Sequence, residues 1–132
     1  MPNPIALEWL SFATRDLEAA RTLSQLPSQA STACFHAQQA AEKALKSLYA
    51  ASGQTPPKTH DLDVLREKLP GGDDLSSLVE ACTVLSMYAV DSRYPGAHIE
   101  EEEVSPAIAF AECIISKVQA VLREKDGPEA GP

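Results

Sequence analysis

The chain has 132 residues, 44% apolar and only 5% aromatic, which suits one domain whose core is built from Ala, Leu, Val and Ile. Its net charge of −8 repels nucleic acid as a whole-molecule field, so an RNA-directed role needs a local basic patch or a basic partner. No window approaches the ~18 apolar residues of a bilayer span, and "MPNPIALEWL" has neither a basic region nor a long apolar run, so the expectation is a cytoplasmic protein with no membrane role.

The first helical stretch covers roughly 5–26, with Leu10, Ala13, Leu17, Ala20 and Leu23 recurring at three- and four-residue steps. Pro27-Ser28 ends it and opens the second, roughly 28–52, striped by Ala33, Ala37, Ala41, Ala44, Leu45 and Leu48 and terminated at Gly53. "QTPPKT" is a stiff connector, because Pro56-Pro57 forbids helix. Thr59 or His60 then caps a short helix with Leu62, Leu65 and Leu69 on one edge, ended by Pro70-Gly71-Gly72. Asp73 or Asp74 caps the next, which carries Leu75, Leu78, Cys82, Leu85 and Ala89 and stops at Pro95-Gly96. The last starts near Glu101 or at Ser105-Pro106, a good cap-plus-first-turn pair, with Val104, Ile108, Ala111, Ile115, Val118 and Leu122 on its stripe. No strand pattern competes. The fold expected is all-α: an up-and-down four-helix bundle with an additional short helix over 5–125, followed by a disordered tail at 126–132.

Cys34, Cys82 and Cys113 are dispersed within helical patterns, which fits reduced, buried thiols better than disulfides or a metal site. Glu100 to Glu103 sit at a helix start, where the dipole favours carboxylates; consecutive helical residues diverge and do not form one coordination shell. No metal and no cofactor is expected, since Gly-rich phosphate loops, Cys/His metal spacings and nucleophile elbows are all missing. In "CFHAQQAAEKALKSLYA", His36, Gln39 and Lys43 share one side of the helix, and Glu42, Lys46 and Tyr49 another. The plain reading is a solvated or subunit-facing side, with Glu42 and Lys46 as a supportive i, i+4 pair. The functional reading makes Lys43, Lys46 and His36 part of a local phosphate-binding surface. His60 reads as a residue at a helix start.

The stretch "DSRYPGAHIEEEE" places Arg93 and His98 either side of a Pro-Gly turn. RNA phosphodiesters can be cleaved without metal: a base takes the 2′-hydroxyl proton, an acid protonates the leaving 5′-oxygen, and a cation stabilises the phosphorane charge. His suits the proton transfers and Arg the phosphate. An Arg and a His in one loop are ordinarily surface residues, so spacing alone does not establish a site.

Taken together, Trp9 with "DLEAA" (16–20), "CFHAQQAAEKALKSLY" (34–49), "THDL" (59–62) and "SRYPGAH" (92–98) resemble a HEPN domain over nearly the whole chain. The resemblance implies a small helical bundle that dimerises and, in many members, a metal-independent ribonuclease acting through an R-x4-6-H motif, which Arg93 and His98 satisfy. It also implies a toxin-like role beside a minimal nucleotidyltransferase antitoxin. Arg93 would bind phosphate, His98 transfer protons, and Tyr94 pack or stack at the cleft. A two-fold homodimer would bring two His98 and two Arg93 into one composite cleft. The sequence departs from the best-known toxin branch at Tyr94, where a polar residue often stands, and at Glu100, where that branch has a tyrosine modified by the antitoxin. Other members are nucleotide-binding or non-catalytic, and a non-catalytic module binding a nucleotide or a nucleotidyltransferase partner is the alternative.

Overall fold

A computed structural model describes residues 3–69, 75–90, 95–96 and 98–126. Five α-helices appear among them, α1 (Pro4–Leu23), α2 (Ala30–Ala51), α3 (Leu62–Glu67), α4 (Val79–Ser86) and α5 (Val104–Asp126), and no strand. Single 3-10 turns precede α2, α4 and α5 at Pro27–Gln29, Ser76–Leu78 and Glu101–Glu103, and another, Met87–Ala89, follows α4. The expected all-α architecture stands. The third expected long helix, the one carrying Leu75 to Ala89, is instead an eight-residue α-helix extended by 3-10 turns at both ends.

α2 is the central element and packs against all four other helices. Its Ala33, Ala37, Ala40, Ala41 and Ala44 are fully buried, as are Ala13 and Ala20 on α1. Such small side chains let backbones approach closely, so a core with few aromatics still packs densely. Leu45, Leu48, Leu62, Leu65, Leu78, Leu85, Ile114 and Val118 supply the bulk of the apolar volume.

Local signals set the ends of the helices. Asn3 caps α1: its Oδ1 accepts from the Ile5 and Ala6 amides, and its Nδ2 donates to the Ala50 carbonyl at 3.1 Å, fixing the start of α1 beside the end of α2. Gly53, at φ +73°, follows α2 in the left-handed conformation that glycine takes without strain. Asp61, not Thr59 or His60, caps α3, because its carboxylate accepts from both the Asp63 and Val64 amides; Thr59 Oγ1 supports it by accepting from the Asp61 amide. At the head of α5 the cap is Glu100, in a reciprocal capping box with Glu103, rather than Ser105. Four consecutive carboxylates favour winding that begins at Glu101, so Ser105-Pro106 falls inside the helix. The expected Asp73 or Asp74 cap lies outside the described residues.

Two further expectations change. Cys34 and Cys82 are buried, but Cys113 is exposed, because the inward side of α5 is already taken by Ala107, Ala111, Ile114 and Val118. Residues 101–125 also contain an 18-residue window of mean hydropathy 1.4, although the sequence reading anticipated no membrane-length apolar segment. The apolar content has a use within the bundle: Val104, Ala107, Ala111, Ile114, Ile115, Val118 and Val121 are buried, and α5 packs on α2 and α4. Helix α5 runs through Asp126, the first residue assigned to the tail; the rest of that tail lies outside the described residues.

Candidate functional site

His98 stands on the connection into α5, just beyond Gly96, whose φ of +92° makes the turn that the Pro-Gly pair implied. Its side chain is 81% exposed, and its Nε2 lies 2.5 Å from Glu100 Oε1. The Glu103 carboxylate fastens this connection to the bundle: Oε2 accepts from the Glu100 amide at 2.9 Å, and Oε1 accepts from the Tyr88 hydroxyl at 2.7 Å. Tyr88 is buried and in turn hydrogen-bonds with the Cys34 thiol on α2. Burial, with Glu103 nearby, pushes that thiol up to about 11. The exposed His98 is therefore tethered through Glu100, Glu103 and Tyr88 to the core. Arg93 and Tyr94 lie outside the described residues.

A second polar cluster lies on α2. Asp16, on α1, meets His36 Nδ1 at 2.9 Å and Lys43 Nζ at 2.6 Å. One turn further round, Glu42 accepts from Lys46 Nζ at 2.8 Å and from Gln38 Nε2 at 3.1 Å, and its Oε1 lies 2.9 Å from His60 Nδ1. Lys46 also sits 5.7 Å from the centroid of the Trp9 ring, a cation–π arrangement. The structure thus pairs the residues singled out for phosphate binding with two carboxylates, His36 and Lys43 sharing Asp16 and Lys46 meeting Glu42, which offsets the charge they could offer to an anion.

Glu42 is more than a surface i, i+4 partner. Its side chain is only 6% exposed. Burial pushes its carboxyl up, but hydrogen bonds from Lys46, His60 and Gln38 outweigh that and hold it below the usual carboxylate value. His60 likewise does more than start a helix. Its carbonyl accepts from Gln38 Nε2 at 3.1 Å while its ring reaches Glu42. The sequence reading passed over the Glu42–His60 contact. One signal was available: Gln38 and Glu42, four residues apart, interrupt an otherwise Ala- and Leu-rich inner face, and buried polar groups demand partners.

Among the described residues no group of three or more His, Cys, Asp and Glu side chains is arranged to hold a metal ion. The carboxylates of Glu100 and Glu103 are used instead in capping and in holding Tyr88 and His98.

Comparison with known proteins supplies the family. The chain is similar to TT1696 from Thermus thermophilus, a crystal structure, at 36% identity and a TM-score of 0.80, covering 87% of this chain and 96% of that one. It is also similar to ST0689, described as an archaeal HEPN homologue, at 27% identity and a TM-score of 0.73, covering 89% and 97%. No curated protein matches. The HEPN domain profile matches residues 6–121, which takes in α1 to α4, most of α5 and both polar clusters, so the chain belongs to the HEPN family.

Proposed function

We propose that this HEPN protein is a metal-independent endoribonuclease, the toxin-like component of a pair with a nucleotidyltransferase. The observation that supports it most is His98: an imidazole open to solvent, beside a carboxylate, with Arg93 five positions earlier in the chain. Arg93 binds the scissile phosphate and stabilises its developing charge, and His98 transfers a proton. The working form is a homodimer in which two-fold pairing brings two His98 and two Arg93 side chains into one composite cleft, so that one imidazole serves as base and the other as acid. The test is cleavage of an RNA oligonucleotide in EDTA by the wild type, His98→Ala and Arg93→Ala. The expected result is product with the wild type and losses of roughly 100-fold or more in either variant. Equal cleavage by all three would mean a contaminating nuclease and overturn the assignment.

The net charge of −8 favours a second reading, a non-catalytic module that binds a nucleotide or a partner protein at the same loop. Tight binding of ATP by calorimetry, with no RNA cleavage, would select it.

A further inference from the structure

Helix α1 carries two stripes, and the core uses only one of them. Ala6, Ala13, Leu17 and Ala20 face inward and are buried. A second series, Ile5, Glu8, Phe12, Arg15 and Ala19, advances in steps of three, four, three and four, the spacing of a seam between two helices. None of these five residues is buried. Ile5 is 60% and Phe12 40% exposed. Exposed apolar side chains scattered singly are ordinary, but these stand in register on one face, with the half-buried Trp9 beside them.

The charges on this stripe have no use within the chain. Glu8 and Arg15 lie two turns apart, about 10 Å along the axis and on nearly the same bearing. Among the described residues neither has an ion-pair partner. Arg15 rests instead over the Phe12 ring, its guanidinium carbon 4.9 Å from the centroid. Among the described residues, Glu8, Trp9 and Phe12 line a surface cleft. Two aromatic rings and a carboxylate are surroundings that suit a guanidinium.

The stripe is complementary to itself. A two-fold axis through Phe12 sets a second α1 antiparallel to the first. Phe12 then meets the partner's Phe12, Ile5 meets the partner's Ala19, and Glu8 faces the partner's Arg15 at both ends of the seam. Apolar groups cover apolar groups, and opposite charges come together twice. We propose that this face of α1 is a docking surface for a second copy of this chain, with Arg15 of each copy entering the Glu8–Trp9–Phe12 cleft of the other. This surface is not the His98 cleft. His98 precedes α5, whose first half meets the last turn of α1 through Glu112 and Arg21, whereas Phe12 lies more than two turns further back along α1. The inference does not rest on the ribonuclease reading. Used together, the two surfaces would join dimers into a larger assembly.

The test is sedimentation velocity on the full chain over a series of protein concentrations. The samples are the wild type, Glu8→Arg, Arg15→Glu and an equimolar mixture of the two variants. Both positions are exposed, so far-UV circular dichroism should be unchanged. The wild type is expected to associate. Each variant sets like charges against each other at both ends of the seam, and should associate about tenfold more weakly or worse. The mixture is the decisive sample. A Glu8→Arg chain offers two arginines and an Arg15→Glu chain two glutamates, so a mixed pair regains both contacts and should associate about as well as the wild type. A mixture no better than either variant alone overturns the proposal. So does a wild type that stays monomeric throughout, which leaves the stripe to a different occupant. Equal association in all four samples belongs to another surface, the His98 cleft included, and overturns it as well. RNA cleavage is not part of the readout, so failure here leaves the ribonuclease reading untouched.

Discussion

Glu42 and Lys46 form an ion pair at 2.8 Å, one helical turn apart, with side chains only 6% and 14% exposed. The pair lies where α2 faces its neighbours, so each charge depends on the other. Glu42→Ala strands Lys46 and removes one of the two acceptors of Gln38 Nε2, leaving the His60 carbonyl. It should cost about 3 kcal/mol, the low end for breaking a buried pair, since Lys46 keeps some solvent contact. Removing both charges together, in Glu42→Leu with Lys46→Met, should cost clearly less. Urea unfolding of the three proteins checks this, and a double variant no more stable than Glu42→Ala contradicts it.

The same carboxylate sets an acid limit on the fold. Its value in the folded chain lies below the ordinary 4.5, because Lys46, His60 and Gln38 favour the charged form more strongly than burial opposes it. A depressed carboxylate contributes stability that is complete above its unfolded value and is lost as pH falls through the folded one. Stability should therefore be insensitive to this group above about pH 4.5 and decline below it. In Glu42→Gln that part of the decline should vanish. Thermal melts between pH 3 and 7 that show parallel curves for both proteins would contradict the assignment.

The three thiols should separate by reactivity. Burial pushes Cys34 to about 11 and Cys82 to about 12, the latter reinforced by Asp63, so both remain protonated thiols at pH 8. Cys113 is exposed on α5. Native protein should titrate with one reactive thiol per chain under a thiol-disulfide reagent, and denatured protein with three. Cys113→Ser should abolish the native reaction. Fast labelling of two or more thiols in folded protein counts against this core.

Much of the fold was legible because it follows from spacing. The alanine steps of α2 and the apolar stripes of α1 and α5 read as helix faces without reference to any partner, and Gly53 marks where α2 cannot continue; α4, by contrast, ends at Ser86 and its 3-10 turn at Ala89, short of the Pro95-Gly96 stop that was expected. Capping was less legible. Several polar residues near a helix start compete for the same amides, and only backbone geometry selects Asp61 over Thr59, or Glu100 over Ser105. The polar clusters were least legible. Asp16 and Lys43 are 27 positions apart and His60 and Glu42 18, so their contacts depend on how the helices dock, which a one-dimensional period does not encode. His98 could be singled out only with Arg93 at a fixed offset, whereas His60 has no such companion in sequence.

The small residues of α2 carry a prediction about packing. Ala41 is fully buried in the helix that every other helix touches. Adding three carbons at this position must push apart backbones whose separation the alanines set. Ala41→Leu should destabilise the protein by about 1–3 kcal/mol despite being more apolar and a good helix former. Ala109→Leu is the control: position 109 is exposed on α5, so the same change should stay within about 0.5 kcal/mol. Urea midpoints of the two variants at equal protein concentration compare them directly. If Ala41→Leu is as stable as Ala109→Leu, α2 is not the tightly packed centre of the bundle, and the close approach inferred from its alanines is wrong.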